Sequence, residues 1–482
     1  MDSMRRTPAT LTALFAALLL VIAPVATARA NMLFGDKLTL RDENKMGREF
    51  DQIIRSRMAM VGDTYITDYV DHIVARVVTG KRPMPYQVKS AVIANPLLNA
   101  FAIPGGFIYV FTGLIQAVET ESQLAGVIAH ELAHVSQRHV VSRIEKQKRV
   151  TVLSTAGMLA GLLLGAVTGG DTGTKAGQAI MVGSAGAGAA AMLQYSQEDE
   201  READHVGLNS MVKAGYNPSG MPETFEIMMK NRWFDSGSEM PSYLSTHPGL
   251  ADRISYLQDR IQRMPPEFLE RHEDPTLLKK IQCLVRSKMS PANTALAYWD
   301  DKPKSDYTPM DYVGRGNALM RLKKMEEARA AFETALSKAG DDPLVAREAG
   351  IYYFTVGAPD RAVGLLQKAA IHNKRDALAL FYLARLQAEG KQFTQAIANM
   401  RKVETLVPED WEVHHHLGMI LGASGDHFGG NLHLGFASAY SMNLEKARRH
   451  QRQAGELAQT ETQKQELKEL SDLIEERAKA KK

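Results

Sequence analysis

Val127-Ile-Ala-His130-Glu131-Leu-Ala-His134-Val135 places two histidines four residues apart inside an apolar run. In a helix of 3.6 residues per turn such positions share a face, so both imidazoles can reach one ion while Glu131 stands beside them. The pattern is that of a zinc site with its own general base. Zinc so held lowers the pKa of a bound water to about 7, and a neighbouring carboxylate can take its proton and pass it to a leaving amine. The chemistry implied is peptide-bond hydrolysis. Two histidines at this spacing also arise by chance on surface helices. Here Val127, Ile128, Leu132 and Ala133 indicate a mostly buried helix, where unpaired histidines and a glutamate would be costly to desolvate, and a metal supplies the partner.

A catalytic zinc takes three protein ligands and a water, so a carboxylate is expected elsewhere. The run Ser196-Gln-Glu198-Asp-Glu200-Arg-Glu202-Ala-Asp204-His-Val-Gly207 offers it. Glu200 and Asp204 share a helix face. Glu202 lies roughly 200° around the axis from Glu200 at about 100° per residue, so the two cannot both serve. The expected assignment is Glu200 to the metal and Asp204 to a ligand histidine, which it would orient through the other ring nitrogen. Most acidic runs of this kind are solvated helix starts, but Ala203, Val206, Gly207 and Leu208 show a helix that buries one side.

Upstream, Asp63-Thr64 can cap a helix in which Ile66, Tyr69, Val70, Ile73, Val74 and Val77 recur at helical spacing, with Gly80 as a stop and Pro83 beyond it. From Tyr86 the period becomes that of strands: Gln87 to Ala94, then Asn99 to Phe111 with a Pro104-Gly105-Gly106 turn. A protease that cuts extended chains needs a strand edge on which a substrate backbone can pair. Asn99, Ala100, Phe101 and Ala102 are the candidates, and an ordinary hairpin packed on the active-site helix accounts for the same pattern.

The H-E-x-x-H motif followed by E-x-x-x-D, with Asn99-Ala-Phe-Ala-Ile-Pro-Gly-Gly106 upstream, resembles the zinc peptidase family that includes the CAAX prenyl protease and the bacterial heat-shock membrane protease. The resemblance implies an α+β zincin-like metalloprotease domain with one zinc ion per chain, held by His130, His134 and Glu200. It makes Glu131 the base and Asp204 a supporting catalytic residue. Leu244-Ser-Thr-His247-Pro248 and the following Arg253 also resemble a family member in which the corresponding histidine caps the open zinc position at rest. His247 is thereby implied to be a removable plug. His139 and the run His414-His415-His416 match no motif and are read as surface residues.

After Pro265-Pro266 and a linker expected over 266–305, Ala328, Ala362 and Ala396 stand 34 residues apart. Around them lies the tetratricopeptide pattern, with Tyr312, Gly316, Leu319 and Phe332 in the first unit, Gly350, Tyr353 and Leu366 in the second, and Leu380, Ala384, Met400 and Pro408 in the third. A fourth unit is read as irregular: Trp411 to Leu421 as its first helix, an interruption over Gly422 to Gly430, then a shortened repeat. An all-α tetratricopeptide-repeat domain is thus expected over 306–459, with a charged, solvated tail over 460–482. Stacked helix pairs of this type present a curved surface to peptides or proteins.

Residues 1–30 read as a signal peptide: Arg5 and Arg6, an apolar core from Leu11 to about Ala23, and Ala28-Arg29-Ala30 as the cleavage site. The protease domain is expected over 31–265, interrupted over 151–195 by an apolar Gly/Ala-rich insertion. Thr151 to Gly170 carries no charge, and only Asp171 and Lys175 are charged as far as Ala191. Covering the catalytic site, touching a membrane peripherally and disorder all fit this composition. A single spanning helix fits less well, given so many glycines.

The chain has 58 basic and 55 acidic residues; without residues 1–30, which hold Arg5, Arg6, Arg29 and Asp2, the balance is 55 to 54. So even a balance gives no reason to expect nucleic acid. Cys283 is the only cysteine, so no intramolecular disulfide can form. Together these features predict a periplasmic zinc endopeptidase with a recruitment domain. By resemblance its partners would be unfolded polypeptides and outer-membrane beta-barrel proteins with their assembly machinery. The competing reading is a non-proteolytic periplasmic chaperone or scaffold with a structural zinc site.

Overall fold

The computed structural model describes residues 37–79, 84, 86–146, 195–234, 243 and 246–480. The expected signal peptide, the stop at Gly80 with Pro83, and all of the 151–195 insertion except Tyr195 lie outside them. Within them the chain forms two compact units. One comprises the residues up to Met60 together with Val70–Pro275, the other Val61–Tyr69 together with Thr276 onward.

In the first unit, α1 (Leu40–Arg57) starts at a reciprocal cap between Thr39 and Asp42 and buries Met46, Phe50 and Ile54. Helix α2 (Thr64–Thr79), whose first residues belong to the second unit and whose remainder belongs to the first, starts where the Asp63 carboxylate accepts the Tyr65 N–H at 3.1 Å. Ile66, Tyr69, Val70, Ile73, Val74 and Val77 along it are all buried. Strands β1 (Lys89–Ile93), β2 (Ala100–Ile103) and β3 (Phe107–Phe111) form a sheet of order β1-β3-β2. β1 runs parallel to β3, and β2 runs antiparallel to it with Phe101 opposite Tyr109. Every residue of β3 is buried, as befits its central place.

Helices α3 (Thr112–Ala117), α4 (Glu121–Ser136) and α5 (His139–Lys146) follow the sheet, and α6 (Gln197–Lys213), α7 (Gly220–Phe234) and α8 (Leu250–Gln262) complete the unit. α4 packs against β2 and β3 on one side and against α6 and α7 on another, and Ser122 through Val135 are buried. A helix enclosed on all sides reads as apolar all round, which is why the polar residues in it carry information. α6 can cross α4 closely because Gly207 lies against Ala129: a Cβ there would stand 3.1 Å from the Ala129 carbonyl. That approach brings Glu200 and Asp204 to the two histidines of α4.

In the second unit, the stretch expected as a linker is instead folded. α9 (Thr276–Met289) and α10 (Ala292–Asp301) pack on α11 (Pro309–Arg321), burying Ile281, Leu284 and Trp299. Pro265-Pro266, which suggested the linker, open a short 3-10 turn over Pro266–Phe268, and further on Pro291 stands at the N-cap of α10 and Pro309 in the first turn of α11. Paired helices continue as α12 (Met325–Ala339), α13 (Pro343–Thr355), α14 (Pro359–His372), α15 (Ala377–Glu389) and α16 (Phe393–Leu406).

The expected irregular repeat is also corrected. α17 (Trp411–Ser424) and α18 (His427–Tyr440) form a full hairpin joined by Gly425 and Asp426, so Gly422 to Gly430 is a turn with its flanking helix ends. After α19 (Leu444–Leu457), the charged tail forms α20 (Glu461–Ala480), which is not wholly solvated: Leu470 and Ile474 are buried with Phe428 and Leu432. Cys283 is buried, its thiol donating to the Met310 carbonyl at 3.0 Å.

One ion cluster dominates the second unit. Fully buried Arg347 grips the Asp63 carboxylate through two nitrogens at 2.8 and 2.9 Å and also contacts Glu348, while Lys288 bridges Glu348 at 2.7 Å and Asp63 at 3.1 Å. Burial alone would raise the Asp63 pKa, but Arg347 and Lys288 hold its carboxyl well below the ordinary range. A depressed folded-state pKa contributes stability above the unfolded value of about 3.9 that is lost as pH falls through it. Replacing Arg347 by Met should lower the unfolding free energy by about 3–5 kcal/mol, because it strands buried carboxylates. Urea unfolding followed by circular dichroism checks this, and a loss below about 1 kcal/mol would contradict it.

Candidate metal centre

The apolar run around His130 becomes a helix with a cap at each end: Thr120 accepts the Gln123 N–H at its start, and Gln137 closes it. On its buried face the His130 and His134 Nε2 atoms stand 3.0 Å apart. α6 starts at a reciprocal cap between Ser196 and Asp199 and delivers Glu200, whose oxygens lie 3.5 Å from His130 Nε2 and 3.4 Å from His134 Nε2. His247, just before α8, brings its Nδ1 to 2.9 Å from Glu200 and 3.4 Å from His130 Nε2. Donor atoms of these four residues lie within 4.8 Å of one another.

A tetrahedral ion with bonds of about 2.0–2.1 Å sets its ligands ~3.3 Å apart. The separations of 3.0 Å between the two Nε2 atoms, 3.5 Å from His130 to Glu200 Oε2 and 3.4 Å from His134 to Glu200 Oε1 are close to that spacing, and two imidazoles with a carboxylate suit a divalent metal. Glu131 lies alongside: its Oε1 makes no hydrogen bond and stands 3.4 Å from His247 Nε2. Burial pushes the Glu131 pKa up, against the pull of His247 and His130. Burial also acts to raise the pKa of Glu200 and Asp204. For Glu200, His247 and hydrogen bonds from all three histidines override it; for Asp204, Arg253 and His130 do so. Both therefore stay ionised.

The ring nitrogens that face away from the cluster are anchored. His130 Nδ1 is 2.9 Å from Asp204 Oδ1. A carboxylate accepts, so the proton sits on Nδ1 and Nε2 presents its lone pair to the cluster. His134 Nδ1 is 2.9 Å from His139 Nδ1, and His139 Nε2 is 3.3 Å from Glu202. His139 donates to Glu202 and accepts from His134, which again leaves the His134 Nε2 lone pair facing inward. His139, read from the sequence as a surface residue, is 4% exposed and belongs to the site.

Four further residues carry no motif of their own. Arg253, quoted above only as part of the stretch after His247, forks onto both Asp204 oxygens at 2.7 and 2.8 Å and also pairs with Glu200. Tyr256 donates to Asp204. Tyr195 stacks on His134 at 3.7 Å and on His247 at 5.1 Å, and Tyr243 stacks on His247 at 4.3 Å, so His247 is held between two phenol rings. The side-chain spacing that signals a metal ligand says nothing about such stacking.

The structure brings His130, Glu131, His134, Glu200, Asp204 and His247 together. Asn99 and the first residues of β2 lie at an edge that no other strand pairs among the described residues, and Ala102 lines a small cavity shared with His134 and Tyr195. The Asn99 carbonyl accepts the Phe111 N–H at 3.0 Å. By the alternation of an antiparallel ladder, Phe101 and Ile103 also turn their backbone toward β3, and Ala100 and Ala102 turn theirs to the open edge.

Comparison with known proteins places the two units. The pattern of peptidase family M48 matches residues 63–261, and a tetratricopeptide-repeat pattern matches residues 347–410. The beta-barrel assembly-enhancing protease of Escherichia coli is 27% identical over 332 residues, covering 68% of this chain and 65% of the relative, so the chain spans slightly less than two thirds of that protein. The mitochondrial metalloendopeptidase OMA1 of Arabidopsis thaliana is 33% identical over 168 residues, covering 34% of this chain and 30% of the relative. Among solved structures, MamA aligns with a TM-score of 0.30 and 20% identity, covering 35% of this chain and 99% of MamA. Residues 63–261 therefore carry a peptidase family M48 domain, and tetratricopeptide repeats follow it.

Proposed function

We propose that the chain is an exported zinc endopeptidase whose repeats recruit substrates or partners. The observation that carries this is the convergence of His130, His134 and Glu200 around one point, with Glu131 beside it and free of hydrogen bonds at Oε1. Zinc held by those three residues would polarise a scissile carbonyl and lower the pKa of a bound water to about 7.

The chain's own residues supply the rest. Glu131 Oε1 takes the water's proton and returns it to the leaving nitrogen. Asp204 and His139 fix the two ligand imidazoles, and Arg253 keeps Asp204 ionised in a dry setting while also pairing with Glu200. The open edge of β2 at Ala100 and Ala102 pairs with an extended substrate. His247 sits where a fourth ligand belongs, so it plugs the centre at rest and leaves when substrate or a partner displaces its loop.

The relatives' name points to beta-barrel assembly, and misassembled outer-membrane barrel proteins are the substrates proposed. The periplasm is the proposed location, reached through a signal peptide cleaved after about Ala30. No helix among the described residues is long and apolar enough to cross a membrane.

Glu131→Gln should keep zinc and lower the rate of cleavage of an unfolded barrel protein by about 10²–10⁴-fold. Undiminished cleavage would sink the enzymatic reading and favour a scaffold with structural zinc. Asp204→Asn should weaken zinc binding by about 10–100-fold in a competition with a fluorescent chelator. His247→Ala should raise basal cleavage at unchanged zinc occupancy; an unaltered rate would refute the plug.

A further inference from the structure

The repeats contain a second convergence of donors that the protease centre does not use. His414 on α17 and His433 on α18 are 4% and 3% exposed, which corrects the expectation that His414 lies on the surface. His415 and His416 beside it are only partly buried. The Nδ1 atoms of His414 and His433 stand 3.0 Å apart, and Glu404 Oε1 on α16 is 3.8 Å from the first and 3.6 Å from the second. At the protease centre the two Nε2 atoms stand 3.0 Å apart and the two Glu200 oxygens lie 3.4 and 3.5 Å from them, so the two sites share a donor set of two imidazoles and one carboxylate at similar separations. Close helix crossing makes this possible: a Cβ on Gly430 would meet the Gly422 backbone at 3.1 Å.

The rings are oriented from outside the triangle. His414 Nε2 is 2.8 Å from the Pro408 carbonyl, which can only accept, so the proton sits there and Nδ1 turns a lone pair toward Glu404 and His433. An imidazole anchored on a carbonyl in this way is the usual support of a metal-ligating histidine. The rings stack on each other 5.2 Å apart, and Phe436 and Tyr440 pack against His414.

Arg401 is the competing element. Its NH1 lies 2.8 Å from His433 Nε2 and 3.0 Å from Glu404 Oε2. With Arg401 in place, His433 accepts at Nε2 and donates from Nδ1 to His414, and the cluster closes as a hydrogen-bonded chain. The Arg401 side chain is 45% exposed and has solvent to move into. Once it leaves, the His433 proton can pass to Nε2, and three lone-pair donors then face one point.

We propose that Glu404, His414 and His433 form a second site for a divalent transition metal, bridging α16, α17 and α18, with Arg401 as the cation it must displace. Imidazole and carboxylate donors suit zinc, nickel and cobalt, and occupancy would tie three successive repeat helices together. The site lies wholly in the repeats, so it stands or falls separately from the protease centre.

The test is zinc titration of the full-length, metal-stripped protein, with equivalents and affinities read by competition with a chromophoric chelator. Wild type should bind two ions, and His433→Ala one. The double variant His130→Ala/His134→Ala should retain one, which adding His433→Ala should abolish. Glu404→Gln, at a partly exposed position, should weaken only the second event, with circular dichroism confirming an intact fold. Arg401→Ala should tighten that event by about tenfold, the scale of one displaced charge-assisted hydrogen bond. A His433→Ala or Glu404→Gln protein that binds zinc as wild type does would overturn the proposal, as would a second event unaffected or weakened by Arg401→Ala.

Discussion

The first unit is governed by the need to pair charge where water does not reach. His130, Glu131, His134, Glu200, Asp204, His247 and Arg253 are each at most 3% exposed. An isolated charge so placed would cost several kcal/mol, so each group must be matched by another or by a metal. The close crossing at Gly207, the reach of Arg253 from α8 and the turn that returns His139 to His134 all serve that matching. His247 is held by a hydrogen-bond contact to Glu200 at 2.9 Å and by stacking between Tyr195 and Tyr243. Stacking is weaker and less directional than the ion pairs around Arg253, which suits the removable role proposed for His247.

Much of this was legible in the chain. Helical spacing identified α4 and set Glu200 and Asp204 on one face of α6, and a 34-residue period identified the repeats. What escaped depends on contacts made across long sequence distances. Five residues separate His134 from His139, and on one continuous helix that spacing puts them about 140° apart. They meet because Arg138 adopts a left-handed conformation, φ 58°, that ends α4, held by Glu43 at 2.6 Å and the Leu38 carbonyl at 2.8 Å. An arginine is an unusual residue for that turn, and no local pattern announces it.

The differences in the repeat unit have a common cause: Gly and Pro mark irregular chain by composition, yet they also open helices and let helices approach. Pro265-Pro266 open a 3-10 turn, and Gly430 lets α18 approach Gly422 of α17. His414 looked like a surface residue within a run of three histidines, but that crossing buries it against His433 while its neighbours stay partly exposed. Helix-to-helix distance decides which histidine of such a run is inside, and composition does not encode it.

The most direct test of a metal centre with a removable fourth ligand is zinc-edge X-ray absorption on protein carrying His433→Ala and one equivalent of zinc. The first shell should contain three imidazoles and a carboxylate oxygen, from His130, His134, His247 and Glu200, and adding His247→Ala should exchange one imidazole for an oxygen. A shell that keeps the same number of imidazoles after His247→Ala would contradict the account.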